Sequence, residues 1–300
     1  MNQPSSSTGI GPGRILAGLA GRGILQSRTP WLHEQEADAQ GLRMTYALFD
    51  FNDRAWPDWE LANLLDAAQR IGFAGLNITY PFKQSVIGLL DELDPTAASV
   101  GAVNTVSFRG GRRIGSNTDM TGFAEGFRAG LPGADVGCVL QVGCGGAGAA
   151  TANALLGLLG AQQVLLFDTD GMRAAQLRDE LNRTHGAGRA VVCDDATDGA
   201  RRSTGIVNAT PVGMAKFPGL PLPAAAIEER HWVADIVYFP LETELLATAA
   251  QKGCRTLDGG GMAVHQAAAA FEIFTGRQAD QQRMKASFSA FTAPPAQAAE

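Results

Sequence analysis

The stretch VGCGGAGAA, residues 142–150, follows an apolar run and opens an alanine-rich segment, and its glycines have the spacing G-x-G-x-x-G. In such a loop the first glycine, Gly143, permits a tight turn, and the second, Gly145, lets the backbone approach a pyrophosphate. The third, Gly148, allows a helix to pack closely on a strand. The helix N-terminus then offers N–H groups to phosphates. The stretch predicts a strand, a turn and a helix that bind a dinucleotide, with Gly146 as a further cofactor-binding residue.

An acidic residue stands where the ribose of such a dinucleotide is expected. Asp168 ends the next apolar run, QVLLFD (163–168), about 20 residues beyond Gly148. A carboxylate there accepts hydrogen bonds from the adenosine 2′-hydroxyl and repels a 2′-phosphate. The first basic residue after it is Arg173. We therefore expect NAD rather than NADP as the cofactor. The alternative is that Asp168 only caps the following helix.

Strand-like and helix-like stretches alternate along the whole chain. Strands are expected at 14–21, 44–51, 73–80, 137–143, 163–168, 189–195, 204–210, 231–238 and 254–259. Helices are expected at 30–41, 59–72, 83–93, 119–130, 147–160 and 261–276, and a hairpin at 101–108 with 112–118. Alternation of this kind favours doubly wound, mostly parallel sheets with helices on both faces. We expect an α/β protein of two domains with a cleft between them.

Composition excludes several classes of partner. The chain has 300 residues, 45% of them hydrophobic, which is enough for the cores of two ordinary domains. Its net charge is −6 and it contains no dense basic run, so we expect no nucleic-acid partner, because phosphate binding needs clustered Lys and Arg. No apolar run reaches the roughly 18 residues of a membrane span, so no membrane partner is expected.

The cysteines and histidines favour a reducing compartment and no metal. The four cysteines have no C-x-x-C spacing, and the first residues, MNQPSSSTGIGPGR, lack the apolar core of a signal peptide. We therefore expect free thiols and a cytoplasmic location. The four histidines have no metal-ligand spacing, so no metal site is expected. His33 and His265 are interpreted as packing or supporting groups.

Six short motifs stand in order along the chain. They are SRTP (27–30), NITYPFK (77–83), GAVNT (101–105), SNTDMTG (116–122), NATPVGM (208–214) and GGGMAVHQA (259–267). From about residue 14 to 290 this series resembles the shikimate/quinate dehydrogenase family. The resemblance implies an N-terminal α/β substrate domain, residues 1–121 plus 262–300, and a Rossmann-type NAD-binding domain, residues 122–261. It also implies reversible oxidation of quinate or shikimate at the ring C3 hydroxyl to the 3-dehydro ketone.

The resemblance assigns a catalytic pair. In the family a lysine and an aspartate act beside the reacting hydroxyl, and they match Lys83 and Asp119 here. The reaction passes a hydride to the nicotinamide and a proton to a base, and a lysine accepts that proton only in its neutral form. Taken alone, Lys83 could be a surface lysine at a helix start, and Asp119 could cap its helix.

The resemblance also assigns the substrate contacts. The family holds the substrate carboxylate with two hydroxyls, which match Ser27 and Thr29, although both could instead cap the helix expected from Pro30. Many members specific for shikimate have serine at both positions, and Thr29 is similar to the subset that also takes quinate. Ring-hydroxyl and carboxylate contacts match Thr79, Asn104, Tyr238 and Gln266.

The NATPVGM motif completes the expected site. Asn208, Thr210 and Gly213 should lie against the ribose and nicotinamide, although the Thr210-Pro211 step could be ordinary loop chemistry. The expected ligand is a small polyhydroxy cyclohexane or cyclohexene carboxylate, bound by a monomer or homodimer. The alternatives are an NADP-dependent biosynthetic shikimate dehydrogenase and an enzyme for an aminated analogue. A different class, a nucleotide-binding regulator without catalysis, also stays open.

Overall fold

The structure is a computed structural model that describes residues 14–292, without the side chains of residues 291 and 292. These residues fall into two compact units. One takes the described chain up to Ala98, Val103–Thr118 and the chain from Ala267 onward, and the other takes Ser99–Ala102 and Asp119–Gln266. The domain boundaries expected from the sequence stay a prediction.

Strands and helices alternate as the sequence pattern indicates. The strands are β1 (Arg14–Gly21), β2 (Arg43–Asp50), β3 (Gly75–Ile78), β4 (Glu92–Leu93), β5 (Thr105–Arg109), β6 (Arg112–Ser116), β7 (Cys138–Val142), β8 (Gln163–Phe167), β9 (Ala190–Val192), β10 (Gly205–Asn208), β11 (Trp232–Asp235) and β12 (Arg255–Leu257). The helices are α1 (Thr29–Ala39), α2 (Glu60–Ile71), α3 (Pro95–Val100), α4 (Thr118–Gly130), α5 (Gly146–Gly157), α6 (Gly171–His185), α7 (Ala196–Arg202), α8 (Glu244–Gln251), α9 (Gly260–Thr275) and α10 (Gln281–Thr292). Single 3₁₀ segments occur at Ser85–Leu89 and Ala224–Ala226.

The first unit contains a mixed six-stranded sheet in the order β2-β1-β3-β5-β6-β4. Strands β1, β2 and β3 run parallel, so their carboxyl ends lie at one edge of the sheet. Strand β5 is antiparallel to β3, and its first residue, Thr105, pairs with Asn77 near that edge. Strand β6 runs back along β5 and ends there too, with Ser116 opposite Thr105. This edge is the place where open α/β sheets bind ligands.

Helix α2 shows how the sequence builds this unit. Leu61, Leu64, Leu65 and Ala68 recur at helical spacing and are buried against an apolar cluster that includes the strand residue Leu76. The helix ends at Gly72, whose φ of 91° is the left-handed conformation that favours glycine. The apolar stripe and the terminal glycine therefore fix both the buried face and the length of α2.

The second unit contains a fully parallel six-stranded sheet in the order β12-β11-β10-β7-β8-β9. Numbered within the unit and read from β9, this is the strand order 3-2-1-4-5-6 of the Rossmann fold. The order reverses between β7 and β10, and the glycine loop follows β7 at this point. Helix α5 is buried from Gly148 to Leu156, because it packs into the apolar core rather than lying on it.

The helix predicted over 83–93 is wrong. One short 3₁₀ segment, Ser85–Leu89, stands in its place and is followed by β4. Leu90 is extended, and the N–H groups of Asp91 and Asp94 bond to carbonyls of the β6 region. Pairing with a neighbouring strand therefore overrides the helical spacing of the apolar residues. No helix among residues 14–292 is long and apolar enough to cross a membrane.

Candidate active site

The glycine loop of the second unit has the backbone geometry that its sequence requires. Gly143 has a φ of 102°, and a Cβ there would lie 2.7 Å from the carbonyl of Ala209. A Cβ on Gly148 would collide with the carbonyl oxygen of Gly143. Gly145 is exposed, with open space at its Cβ position, and precedes the first residue of α5, Gly146. The loop therefore leaves its outer face open in front of the N-terminus of α5.

A buried glutamine holds this loop in shape. The amide nitrogen of Gln141 donates to the carbonyls of Gly143, at 3.0 Å, and Gly148, at 2.8 Å, while its amide oxygen accepts from the Thr151 hydroxyl at 2.7 Å. Gln141 lies in β7 and was not singled out from the sequence. A polar side chain inside an otherwise apolar strand is the signal that identifies it, because buried polar groups need partners.

Asp168 directly follows β8 and is joined to the glycine loop. Its carboxylate accepts the N–H of Cys144 at 2.8 Å and the N–H of Asp170 at 2.9 Å. Burial and the nearby Asp168 charge raise the pKa of the Cys144 thiol to about 12, so the thiol stays protonated. The cap of α6 is Asp170, which accepts from the N–H groups of Met172 and Arg173. Capping therefore does not account for Asp168.

A guanidinium lies near this carboxylate. A terminal nitrogen of Arg173 is 3.7 Å from an Asp168 oxygen, and another is 3.5 Å from Asp170. The Arg173 side chain is half exposed, whereas that of Asp168 is 8% exposed. One cation therefore lies between two carboxylates, and the local charge is negative.

The Asn208 side chain folds the loop that carries Thr210 and Gly213. Its amide nitrogen donates to the carbonyl of Val212 and to Asp235, both at 2.9 Å. Its amide oxygen accepts from the N–H and the hydroxyl of Thr210, at 3.0 and 2.7 Å. The residue is fully buried, and these bonds use all the capacity of the amide. The Asn208 amide thus folds the loop, Thr210 and Gly213 are partly exposed, and the contacts of these three residues with a cofactor stay predictions.

Asp235 connects this loop to the segment that carries Tyr238. Its carboxylate accepts from Asn208, from the N–H of Val237 at 3.0 Å and from the Thr243 hydroxyl at 2.7 Å. Burial raises the pKa of Asp235 to about 6, and the three hydrogen bonds oppose that rise. Tyr238 follows on the surface and is partly exposed.

In the first unit, Ser27 and Thr29 form a hydroxyl pair. The Ser27 hydroxyl donates to the Thr29 hydroxyl at 3.0 Å, and the N–H of Thr29 donates to Ser27 at 3.3 Å. Helix α1 begins at Thr29, and its N-cap residue is Arg28, whose side chain makes no capping bond. The pair is partly exposed and lies at the start of the helix.

A hydrogen-bonded chain crosses the sheet edge of the same unit. The Tyr46 hydroxyl donates to Asn77 at 2.6 Å, and the Asn77 amide nitrogen donates to the Thr105 hydroxyl at 2.9 Å. Thr105 donates to the amide oxygen of Asn104 at 3.0 Å, and the N–H of Thr118 donates to the same oxygen at 2.8 Å. Because N–H groups only donate, the oxygen of Asn104 must face Thr118, which fixes the orientation of its amide.

Thr79 and Lys83 join Asn104 at this edge. The N–H of Ile78, one residue before Thr79, bonds to the carbonyl of Asn104 at 2.8 Å. The carbonyl of Lys83 accepts the N–H of Val103 at 2.7 Å, and Lys83 is partly exposed. The backbone therefore brings the predicted lysine and two predicted polar contacts to one place.

Asp119 and Gln266 belong to the second unit. Asp119 lies in the first turn of α4 and is 2% exposed. Gln266 lies on α9. This helix packs so closely on α4 that a Cβ on Gly122 would come within 2.9 Å of the backbone nitrogen of Gln266. Gly122 is less than one helical turn after Asp119. Within residues 14–292, no three histidine, cysteine, aspartate or glutamate side chains come together as a metal ion would require.

The fold and the glycine loop define the class of protein. A parallel sheet in this order, with a G-x-G-x-x-G loop at its switch point and an acid after the neighbouring strand, is a dinucleotide-binding fold of the Rossmann type. Family models extend this assignment. The shikimate dehydrogenase substrate binding domain matches residues 19–106, and the shikimate 5′-dehydrogenase C-terminal domain matches residues 259–287.

Individual relatives cover nearly the whole chain. The shikimate dehydrogenase (NADP(+)) of Streptomyces avermitilis is 53% identical over 273 residues, which are 90% of this chain and 94% of that protein. The quinate/shikimate dehydrogenase (NAD(+)) of Corynebacterium efficiens is 47% identical over 278 residues, 91% of this chain and 97% of that protein. The structure of quinate dehydrogenase from Corynebacterium glutamicum in complex with NAD has a TM-score of 0.87 at 44% identity and covers 92% of this chain and 99% of that one.

The chain therefore belongs to the shikimate/quinate dehydrogenase family and is an oxidoreductase. This confirms the resemblance that the six motifs indicated. The names of its relatives divide between NAD and NADP and between shikimate and quinate.

Proposed function

We propose that this chain oxidises quinate, shikimate or both at the ring C3 hydroxyl to the 3-dehydro ketone, with NAD as the hydride acceptor. The ring carbon gives a hydride to the nicotinamide and the hydroxyl gives its proton to Lys83, so the products are the ketone, NADH and one proton. The reaction is reversible. The observation that carries the choice of cofactor is the Asp168 carboxylate held against the glycine loop.

The charges around Asp168 support NAD. A ribose 2′-hydroxyl can donate to this carboxylate, whereas a 2′-phosphate would meet the negative charges of Asp168 and Asp170. Arg173 supplies one positive charge, which those two carboxylates already share. The net charge at this position therefore disfavours NADP.

The hydroxyl pair supports a substrate of the quinate and shikimate type. Ser27 and Thr29 are hydrogen-bonded to each other and partly exposed, so both can be redirected to a carboxylate. Quinate carries a tertiary hydroxyl and a tetrahedral centre at its carboxylate-bearing carbon, and shikimate does not. The Thr29 methyl changes the room at that carbon, and one methyl is worth about 1–3 kcal/mol of discrimination.

The remaining roles follow from the chemistry of each group. Lys83 takes the hydroxyl proton in its neutral form, and Asp119 positions the resulting ammonium and the substrate. Thr79, Asn104, Tyr238 and Gln266 contact the ring hydroxyls and the carboxylate. The orientation of the Asn104 amide supports its role, because it is fixed before any ligand arrives.

Two alternatives use the same chemistry. One is an NADP-dependent biosynthetic shikimate dehydrogenase, which the name of the Streptomyces avermitilis relative favours. The other is an enzyme for an aminated analogue of shikimate. A third alternative, from a different class, is a regulator that binds the nucleotide without turnover. The presence of both Lys83 and Asp119 argues against it, since a sensor has no need of a proton-transfer pair.

One assay separates these possibilities. Initial rates are measured with quinate and with shikimate, each with NAD and with NADP. We expect higher kcat/KM with NAD for both substrates and measurable turnover of quinate. A clear preference for NADP would overturn the interpretation of Asp168, and a lack of quinate turnover would overturn that of Thr29. Binding of NAD without turnover of any pair would favour the regulator.

A further inference from the structure

Asp50, the last residue of β2, is a buried carboxylate that no role described above uses. It is 2% exposed. One oxygen accepts the N–H groups of Gly23 and Asn52, both at 2.9 Å, and the other accepts the N–H of Ile24 at 2.7 Å. Burial alone would raise the pKa of Asp50, but these N–H groups, with that of Asp53, hold it below its ordinary value. The carboxylate is therefore ionised, and backbone donors rather than a cation stabilise it.

The loop that Asp50 holds leads to the hydroxyl pair. Asp50 accepts the N–H of Ile24, and the carbonyl of Ile24 accepts the N–H of Ser27 at 2.9 Å. Ser27 is in turn bonded to Thr29. Two hydrogen bonds through the backbone of Ile24 therefore connect the buried Asp50 carboxylate to Ser27. Ser27 and its partner Thr29 carry the hydroxyls that are proposed to bind the substrate carboxylate.

The same loop is fixed on its other side by the end of β3. A Cβ on Gly21 would overlap the Thr79 side chain, and the N–H of Arg22 donates to the carbonyl of Tyr80 at 3.0 Å. Gly23 has a φ of 68°, a conformation that favours glycine. The loop thus has one defined path, with Thr79 against its start and Ser27 at its end.

The second unit repeats this arrangement. Asp168 follows β8 and accepts an N–H from the loop after β7, just as Asp50 ends β2 and accepts N–H groups from the loop after β1. Each carboxylate also accepts the N–H two residues further along its own chain. In both cases the sequence reads Leu-Phe-Asp. In the second unit the loop so held is the glycine loop of the cofactor site.

We propose that Asp50 is a positioning residue for substrate recognition, which fixes the loop after β1 so that Ser27 and Thr29 present their hydroxyls to one carboxylate. The inference rests on the proposed function of that hydroxyl pair. Loss of the Asp50 charge takes a charged acceptor away from these backbone donors and lets the loop take other paths. Recognition of the carboxylate then weakens, while the ring and the cofactor keep their contacts.

The test compares an acid with its ester. The variants Asp50→Asn and Asp50→Glu are assayed with NAD on shikimate and on shikimate methyl ester, whose carboxylate is masked. We expect Asp50→Asn to raise the KM for shikimate about tenfold or more, since it removes a charged acceptor from buried donors. The kcat/KM for the ester should change less than about threefold, because the ester has no charged carboxylate for Ser27 and Thr29 to bind. The ratio of kcat/KM for shikimate to kcat/KM for the ester, the acid-to-ester ratio, therefore falls. The Kd for NAD stays the same.

A matched variant separates positioning from general stability. Glu36 is also a buried carboxylate of the first unit, and it is held by Arg283 at 2.7 Å. Glu36→Gln should lower the melting temperature without changing the ratio of acid to ester. Asp50→Glu keeps the charge but is too long for the same three donors, so it should lower the ratio even if Asp50→Asn does not fold.

The outcomes distinguish a failure of the role of Asp50 from a failure of the proposed function. An Asp50 variant that folds and keeps the wild-type ratio overturns the inference alone. A wild-type protein that turns over neither shikimate nor quinate overturns the proposed function and the inference with it. A fall in the ratio that Glu36→Gln reproduces shows that Asp50 acts only through stability, and this too overturns the inference.

Discussion

The Asp168 carboxylate accepts the N–H of Cys144 at 2.8 Å, so the acid after β8 and the glycine loop after β7 are one hydrogen-bonded unit. The position of the negative charge is therefore set by the same loop that is shaped to receive a pyrophosphate. Gln141 holds that loop from inside, through bonds to the carbonyls of Gly143 and Gly148. The charge that we propose to select the cofactor and the shape of the phosphate loop are thus coupled through the protein backbone.

This coupling leads to a prediction for Asp168→Ala. The variant should lose about 10- to 100-fold in kcat/KM with NAD, since a hydrogen bond to a charged group is worth about 1.5–3 kcal/mol. With NADP the loss should be smaller or reversed, because the repulsion of the 2′-phosphate is gone. Initial rates with both cofactors measure the ratio. Arg173→Ala serves as the control and should leave NAD kinetics nearly unchanged. An unaltered NAD-to-NADP ratio in Asp168→Ala would show that the carboxylate does not select the cofactor.

Thr29→Ser tests the choice of substrate. The substitution removes one methyl and keeps the hydroxyl that bonds to Ser27. We expect the ratio of kcat/KM for quinate to that for shikimate to fall by roughly 5- to 100-fold, which corresponds to about 1–3 kcal/mol. Ser27→Ala should instead raise the KM for both substrates, because it removes a donor that is proposed to bind the carboxylate of each. Equal effects of the two variants on the ratio would contradict a specific role for the methyl.

The sequence predicted those parts of the molecule in which local pattern and tertiary structure agree. The strand β1 has the expected bounds, Gly143 has the positive φ that a tight turn requires, and Asp168 directly follows β8. The stretch 83–93 was misread, since pairing with β6 decided its structure. Asp50 was not found at all. Its hydrogen-bond partners are backbone N–H groups, those of Gly23 and Ile24 some 26 residues earlier and that of Asn52 just after it, and no side-chain pattern records them.

The same reasoning applies to Asn208. Its motif predicts a contact with the cofactor, which stays a prediction, and the structure shows its amide bonded to Thr210, Val212 and Asp235. A motif records that a residue type is needed, and it does not say whether the side chain touches the ligand or folds the loop. Burial decides between these roles, and burial depends on the packing of Asp235 from β11.

His33 predicts a loss of stability in acid. The ring is fully buried and stacks on Tyr46 at 4.7 Å, and within residues 14–292 neither ring nitrogen has a hydrogen-bond partner. Burial lowers the pKa of His33 to about 3. The pKa of His33 in the folded protein lies below the ordinary value of about 6.5, so the unfolded chain binds the proton more readily. The free energy of unfolding is therefore highest above pH 6.5 and decreases as the pH falls towards 3.

The expected size of this effect is about 1.4 kcal/mol per pH unit in that window, or about 2 kcal/mol between pH 6.5 and pH 5. Denaturant unfolding at the two pH values measures it. Between these two pH values the free energy of unfolding of His33→Phe should decrease by about 2 kcal/mol less than that of the wild type. Phe271→Leu, which alters a ring beside His33 without adding or removing a titrating group, should lower stability equally at both values. Equal pH dependence in wild type and His33→Phe would refute the assignment.

Lys83→Ala tests the mechanism itself. General base catalysis contributes about 10²- to 10⁴-fold, so kcat should fall by at least about 100-fold. The Kd for NAD should change little, because Lys83 is proposed to act on the substrate hydroxyl, while the glycine loop and Asp168 are proposed to hold the cofactor. Turnover and NAD binding by calorimetry are measured on the same preparation, with Lys285→Ala on α10 as the control. Turnover that survives the loss of Lys83 would mean that another group takes the hydroxyl proton, and the roles proposed for Lys83 and Asp119 would then be wrong.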